Sequence, residues 1–265
     1  MSDVFILSVL QGVAEFLPIS SSGHLVLGRN LLGMGEVGLR LDIFLHVGTL
    51  VSVFAFYAAV AVRIARGALG ADGPAARRES VSYILKIVLS AVPAGIVGVF
   101  LKDRIETVFA SPVAVGSALV FTGVVLTVTK FIPKGTREVS FAKALWMGLA
   151  QAVAILPGVS RSGMTLAAAR AAGVEAGRSA EFSFLMSAPP IAGAALLEIV
   201  KALRAGSEAA AANEVSWGLC AIGAVCAALV GYFSLALLLK SLKSDKFWMF
   251  GPYCVLAGVA AIALS

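Results

Sequence analysis

The side chains best placed to do chemistry in this sequence fall in two short polar segments, 11–24 and 157–163. The first carries Gln11, Glu15, Ser20, Ser21, Ser22 and His24; the second carries Ser160, Arg161, Ser162 and Gly163. Gln11 and Glu15 are four residues apart, which on a helix sets them on one face, one turn from each other. A carboxylate embedded in an apolar stretch is costly and marks a functional position by default. Glu15 is therefore a candidate cation ligand or base, the alternative being a helix-end residue that reaches an interface. The serines at 20–22 precede a new helical stretch and suit capping. One of them, held near Glu15 and His24, would instead be a nucleophile with an adjacent base. Arg161 stands between two serines just after Pro157-Gly158, where the amides of a starting helix gather to hold anions. Its planar fork of donors matches a phosphate bidentately; the alternative is a purely structural partner for Glu15. Ser, His, Glu and Arg converging on one place would serve phosphoryl transfer, in which positioning and charge neutralisation supply most of the catalysis. Ser20, Ser22, Ser160, Ser162 and Gly163 join Arg161 as candidate substrate-binding groups. His46, alone in an apolar run, reads as packing or a polar contact between helices.

The surroundings of these segments are unusually greasy. Hydrophobic residues make up 59% of the 265 residues and charged residues 14%, with a mean hydropathy of +0.95. A water-soluble domain carries roughly a quarter charged residues, so lipid has to cover much of this exterior. Apolar runs near the ~20 residues needed to cross a bilayer recur along the chain. They predict six spans, at Leu41–Val62, Ile84–Leu101, Val113–Lys130, Ala180–Val200, Trp217–Leu239 and Phe247–Leu264. The net charge of +6 belongs to loops rather than to a basic patch with interleaved aromatics, which argues against nucleic-acid binding. Arg63, Arg66, Arg77, Arg78 and Lys86 crowd the first link, Lys130, Lys134, Arg137 and Lys143 another, and Lys240, Lys243 and Lys246 a third. Placing all three in the cytoplasm is self-consistent with six crossings and leaves both termini outside, with the mixed loop Lys102–Glu106 and the acidic loop around Glu208 and Glu214. Asp3 and the lack of a basic N-terminal region predict that the chain keeps its start. Cys220, Cys226 and Cys254 form no paired motif and read as small core residues.

Two apolar segments, Val4–Leu17 and Phe141–Leu156, are too short to cross before Pro18 and Pro157. Broken backbone at membrane depth survives only where protein or a water-filled cavity satisfies its amides. Two re-entrant helix-loop-helix hairpins are the economical reading, with single kinked crossings as the alternative. A shift of 140 residues pairs Gln11 with Gln151, Val13 with Val153, Ala14 with Ala154, Ser20 with Ser160, Ser22 with Ser162, Gly23 with Gly163 and Phe44-Leu45 with Phe184-Leu185. The chain thus reads as one membrane domain, 1–265, built from a first repeat (1–130) and a second (141–265). An odd number of crossings per unit inverts the second copy and places the site near the midplane. The expected fold is an all-α integral membrane protein with six transmembrane helices, two re-entrant hairpins and an inverted-topology repeat. The two breaks diverge in content: Ser21 faces Arg161, Glu15 faces Ile155 and His24 faces Met164.

At these residues the sequence resembles the bacterial undecaprenyl-pyrophosphate phosphatase family, also called the bacitracin-resistance family. The resemblance rests on Gln11-Gly-Val-Ala-Glu15-Phe-Leu-Pro-Ile-Ser-Ser-Ser-Gly-His24, Pro157-Gly-Val-Ser-Arg-Ser-Gly163, Ala180-Glu-Phe-Ser-Phe-Leu185 and Ala91-Val-Pro-Ala-Gly95. It implies hydrolysis of undecaprenyl pyrophosphate to the monophosphate carrier used in cell-wall assembly. In the topology set by the basic loops, the Ser21 hairpin enters from outside, so the site is expected to face the periplasm of the bacterial inner membrane. The resemblance implies Ser21 as nucleophile, His24 as its helper, Arg161 as pyrophosphate ligand, and Glu15 with Gln11 as the acidic motif and metal seat. It also implies dependence on Mg²⁺ or Ca²⁺. Many members carry Glu where this chain has Gln11, which leaves one negative charge fewer for that cation. The expected partners are the polyprenyl pyrophosphate and membrane lipids, with a homodimer as the one protein assembly left open. The rival reading is a transporter or flippase of the carrier lipid, since inverted repeats with broken helices are a transporter plan. The unequal chemistry of the two breaks favours an enzyme, and the ring of like groups that a channel would need is not apparent.

Overall fold

The structure is a computed structural model that describes residues 2–31, 39–101, 111–204 and 215–265. Those residues are helical apart from turns, two 3-10 turns and a lone bridge between Arg137 and Val174, and they contain no strand. In chain order the helices are α1 (Ser2–Ala14), α2 (Ser21–Leu31), α3 (Leu39–Phe56), α4 (Ala58–Ala68), α5 (Pro74–Phe100) and α6 (Pro112–Val128). There follow α7 (Phe141–Val153), α8 (Arg161–Ala171), α9 (Ala176–Arg204), α10 (Trp217–Lys243) and α11 (Phe250–Ala263).

Among the described residues, four helices are long and apolar enough to cross a membrane, or five if the bent pair α3–α4 is one span. The polarity of the bundle agrees: Leu229, Phe233 and Leu256 point outward, while Ser8, Gln11, Thr49, Ser52, Ser183 and Ser187 are buried. This is a multi-pass membrane protein. In lipid the drive to bury apolar side chains is lost, and helices associate through close packing of small residues. The α6–α11 pair shows this directly. A Cβ on Gly123 would lie 2.7 Å from the Gly251 carbonyl oxygen, and one on Gly116 would lie 2.8 Å from that of Gly258. Any side chain at these positions would force the helices apart.

The packing is reciprocal between the two halves of the chain. Helix α1 lies on α10 and α7 lies on α5; α3 packs on α10 and α9 on α5; α6 pairs with α11. Each hairpin helix thus leans on a long helix of the other half, and the broken segments between α1 and α2 and between α7 and α8 are driven together.

Several expected boundaries shift. The run 41–62 is not one straight span: α3 stops at Phe56, and α4 turns away by 76°. The cause lies in the pattern of α4, whose Val60 and Ile64 pack on the core while Gly67 meets Ser80 and Ala76 of α5. That stripe (60, 64, 67) docks α4 flat, and Arg63 and Arg66 emerge opposite, their side chains 58% and 61% exposed. The first basic cluster is therefore helical rather than a loop: Arg63 and Arg66 ride on α4, Arg77, Arg78 and Lys86 on α5, and only Leu69–Gly73 joins them. The last apolar run opens with a 3-10 turn at Phe247–Met249 before α11 begins. The loops expected at Lys102–Glu106 and around Glu208 and Glu214 lie outside the described residues.

Candidate active site

Helix α1 ends before Pro18, which cannot continue the backbone ladder, and the chain turns through Ser20 into α2. Ser20 takes a left-handed φ of +71°, a conformation uncommon outside glycine and retained mostly where function over-determines it. Its hydroxyl accepts from the Gly23 amide at 3.4 Å. In the second break the left-handed position is filled by Gly158 (φ +90°), and Ser160 caps α8 from extended backbone, accepting from Gly163 N–H at 3.1 Å. Thr122 of α6 ties this loop down, donating to the Gly158 carbonyl and accepting from Ser160 N–H, both at 3.1 Å.

The two tips touch. Ser162 donates to the Leu17 carbonyl at 3.4 Å, and a Cβ on Gly23 would lie 3.2 Å from Gly158 Cα. Between the tips lies a cavity of about 70 Å³ lined by Glu15, Ser20, Ser21, Ser22, Ser160 and Arg161. A single water needs ~10–15 Å³ on this measure, so the space suits a small polyatomic group. The N-termini of α2 and α8 both open on it, the arrangement that favours an anion.

Glu15, buried at 8% exposure, is the hub. Its Oε2 accepts from Ser21 Oγ at 2.8 Å and from Gln11 Nε2 at 3.2 Å. Its Oε1 accepts from Arg161 Nη2 at 2.5 Å. The guanidinium also lies over the Phe184 ring, 5.8 Å from its centroid, so it is held from two sides. Gln11, Glu15, Ser21 and Arg161 are thus joined in one hydrogen-bonded set, with Ser20, Ser22, Ser160 and Ser162 close around it: Ser20 Oγ is 3.4 Å from Ser22 Oγ, and Ser160 Oγ is 3.3 Å from Ser162 Oγ.

His24 points elsewhere. Its Nδ1 lies 3.0 Å from the Ser20 carbonyl oxygen and its Nε2 2.8 Å from the Tyr253 hydroxyl, with the two rings stacked. A ring nitrogen facing a carbonyl must carry the proton, so in neutral His24 the Nε2 accepts from Tyr253. The pairing with Ser21 implied by the resemblance is not made here; Glu15 occupies that place. His46 is not part of that hydrogen-bonded set: its Nδ1 faces the Asp42 carbonyl oxygen at 2.8 Å. Sequence reasoning did not reach Tyr253 or Thr122, which come from remote helices with no local pattern to mark them. It used Gln151 only as a mark of the repeat.

Residues 4–260 match the family described as Bacitracin resistance protein BacA. The chain belongs to this family. Curated BacA-like relatives include the undecaprenyl-diphosphatase of Desulforapulum autotrophicum, 37% identical over 97% of this chain and 95% of the relative. Another is the undecaprenyl-diphosphatase of Pelotomaculum thermopropionicum, 40% identical over 98% and 95%. A third, from Halothermothrix orenii and of the same name, is 37% identical over 99% and 97%. These BacA relatives are named for a diphosphatase activity, not for a carrier activity. A buried carboxylate bonded to a serine hydroxyl, with a guanidinium and two helix N-termini around one small cavity, is an arrangement that can bind and split a phosphoanhydride.

Proposed function

We propose that this protein is an undecaprenyl-diphosphate phosphatase, which removes the terminal phosphate of undecaprenyl pyrophosphate and leaves the monophosphate carrier for cell-wall synthesis. The names of the BacA relatives supply the substrate. The observation that carries the mechanism is the bond from Ser21 Oγ to Glu15 Oε2 at 2.8 Å, beside an arginine held on the other oxygen of the same carboxylate.

Glu15 takes the Ser21 proton while Ser21 Oγ forms a bond to the terminal phosphorus. The bond from that phosphorus to the bridging oxygen breaks, and the lipid monophosphate leaves. Glu15 passes the Ser21 proton to the leaving monophosphate. Water then attacks the phosphoserine phosphorus and gives a proton to Glu15; the phosphorus–Oγ bond breaks, Ser21 Oγ takes the proton back from Glu15, and inorganic phosphate departs. Arg161 and the amides at the starts of α2 and α8 neutralise the charge that builds on the phosphoryl oxygens. The incoming phosphate competes with Glu15 for the guanidinium, which frees the carboxylate to act as base. His24, fixed between Ser20 and Tyr253, holds the loop that carries Ser21.

A divalent cation, Mg²⁺ or Ca²⁺, fits on restricted terms. Among the described residues no group of three or more His, Cys, Asp or Glu side chains gathers to hold one. The donors are Glu15 and the Gln11 Oε1, which is buried without a hydrogen-bond partner. Mg²⁺ is usually held by one or two carboxylates plus substrate phosphates, and Glu15, Gln11 and the diphosphate oxygens make such a set. When bound, the cation shields the phosphate charge.

For the membrane arrangement we propose six crossings: α3–α4, α5, α6, α9, α10, and the 3-10 turn with α11. Phe247–Ala263 is an apolar stretch that at ~1.5 Å per residue runs about 25 Å, close to the ~30 Å hydrocarbon core. The α1–α2 and α7–α8 pairs are re-entrant hairpins of an inverted repeat, since α1 and α7 are each about 20 Å long on the same measure. The reciprocal packing is what such a repeat generates. By the distribution of basic residues the site faces the periplasm.

The test is phosphate release from undecaprenyl pyrophosphate by the purified protein in detergent, with and without chelator. Release that the chelator suppresses is expected. A protein that is well folded, supplied with Mg²⁺ or Ca²⁺ and releases no phosphate overturns the reading.

A further inference from the structure

The reciprocal packing of the halves is unequal, and the inequality sits beside the active site. Where α3 meets α10 the contact is closed: Ser52 donates to the Ala228 carbonyl at 2.7 Å, and a Cβ on Gly231 would lie 2.6 Å from Ser52 Oγ and 2.5 Å from the Phe16 ring. Where α9 meets α5 the contact is open. A cavity of about 560 Å³ lies between α5, α7 and α9, within the ~300–1,000 Å³ of typical ligand sites. Among the described residues, a Cβ built on Gly95, Gly98 or Gly193 would find no atom within 4 Å. In the 140-residue register Gly193 corresponds to Val53, which is buried at 1% exposure. The walls are apolar, and Val99 and Leu197 on the rim are also exposed on the outer surface. The groove therefore opens toward lipid.

Its inner end is polar. Gln151 and Arg161 both line it, and Arg161 and Ala154 also line the small cavity at the serines, so the two spaces share a wall. Gln151 is 4% exposed, and neither atom of its amide has a partner among the described residues. Nη1 of Arg161 is likewise buried with no partner among the described residues, while Nη2 is held by Glu15. The counterpart Gln11 gives its amide hydrogen to Glu15, but the counterpart of Glu15 is Ile155. That exchange removes a negative charge from the groove and leaves the Gln151 amide free. Buried polar groups in native structures have partners, and each exception calls for an explanation.

Building on the phosphatase reading, we infer that Gln151 is a substrate-binding residue. Its amide and Arg161 Nη1 receive the lipid-side phosphate of the diphosphate, and the first isoprene units run out along the α5–α7–α9 groove. The terminal phosphate then occupies the small cavity next to Ser21, so one arginine spans both phosphates. An apolar tail leaving a diphosphate needs a path that is polar at its start and apolar afterwards, open to the membrane. This groove has that order.

The test uses the purified full-length protein in detergent with two probes, farnesyl pyrophosphate and methyl diphosphate. Gln151→Met keeps the volume and removes the amide. It should raise KM for both probes about tenfold, the loss of a hydrogen bond to a charged group, and raise Tm by removing an unmet buried polar group. A structural glutamine would do the reverse, so lowered Tm with unchanged KM overturns its role. Gly98→Leu and, separately, Gly193→Leu fill the groove. Each should lower the ratio of kcat/KM for farnesyl pyrophosphate to that for methyl diphosphate by about tenfold, a tail displaced from its apolar seat. If one of them fails to fold, the other reads the same ratio. An unchanged ratio in the folded variant overturns the tail path. Failure of the phosphatase reading looks different: the wild-type protein would release no phosphate from either probe.

Discussion

Replacing Glu15 by glutamine separates charge from shape at the centre of the site. The carboxylate accepts from Ser21, Gln11 and Arg161. An amide of the same shape keeps an oxygen for Arg161 and turns its nitrogen toward Ser21 Oγ. Gln11 can rotate its unpartnered Oε1 to accept from the new amide, so the hydrogen-bond count is nearly preserved and the lost charge dominates. The Arg161 side chain is 16% exposed, and stripping one partner from a buried ion pair costs roughly 3–5 kcal/mol. With the hydrogen bond retained, the lower end applies, and about 3 kcal/mol in a chain of this size lowers Tm by about 6–12 °C. The kinetic effect is larger, since general-base catalysis contributes about 10²–10⁴-fold. We expect kcat to fall by at least about 100-fold while KM stays level or falls, because a guanidinium released from Glu15 is freer to grip phosphate. Phosphate release under steady-state conditions and thermal unfolding in the same detergent give both readouts. The double variant Glu15→Gln, Arg161→Met should recover part of the lost Tm, with a coupling of about 0.5–3 kcal/mol between neighbours. A Glu15→Gln protein with kcat within about threefold of wild type would refute the base assignment, and a normal Tm would refute the paired-charge account.

Ser21→Ala should remove turnover while pyrophosphate still binds, and rapid quench with labelled substrate should trap phosphoserine on the wild type; robust single-turnover hydrolysis by the alanine variant would instead identify an activated water as the attacking group. Arg161→Lys keeps the charge but loses the fork and the ring contact, so kcat/KM should drop at least about tenfold; near-normal hydrolysis would make Arg161 a structural counter-ion. Gly123→Leu should lower Tm sharply by parting α6 from α11, with Gly98→Leu as a milder control, since no atom of the described residues lies within 4 Å of a Cβ there; equal Tm losses would sink the packing account. Single cysteines at Ala75 and Ser2, in a chain lacking the native cysteines, should label from outside only at position 2; label at 75 alone would invert the topology.

How much of this was legible beforehand depends on the range of the interaction. The membrane class, the two short hairpin helices and the polar breaks follow from local features: apolar run length, Pro18 and Pro157, and serines ahead of a helix. The repeat register also placed Ser21 opposite Arg161. What could not be read is where one helix lies on another. The 76° turn at Tyr57 depends on the stripe Val60, Ile64 and Gly67 finding α5, and hydropathy alone runs straight through it. The same limit explains His24. Three residues from Ser21 in sequence, it starts near the proposed nucleophile. Yet in the first turn of α2 its ring is drawn to Tyr253, a residue 229 positions away that no local pattern connects to it. Glu15, six residues from Ser21, is the one that reaches the hydroxyl.

The two halves share a scaffold and differ in what the scaffold holds, and this difference bears on what kind of protein it is. A carrier that alternates access by exchanging the conformations of two repeats needs copies able to take each other's state. Here the exchange is obstructed at several points. Ser20 turns left-handed as a serine, whereas its counterpart Ser160 is extended at φ −78° and the left-handed turn has moved to Gly158. The first half closes α3 on α10 through Ser52 and Gly231, while the second leaves α9 open from α5. Glu15 is matched by Ile155, so the second hairpin has no carboxylate to hold its glutamine or to receive a proton. Swapping the states would put a charge into an apolar groove and a branched chain where a base is needed, each costly in a membrane interior. The asymmetry instead divides one reaction. In the proposed mechanism one hairpin carries the attacking hydroxyl and its base, and the other carries the guanidinium. On the inferred tail path, the open side of the second half is where the long apolar leaving group lies without disturbing either.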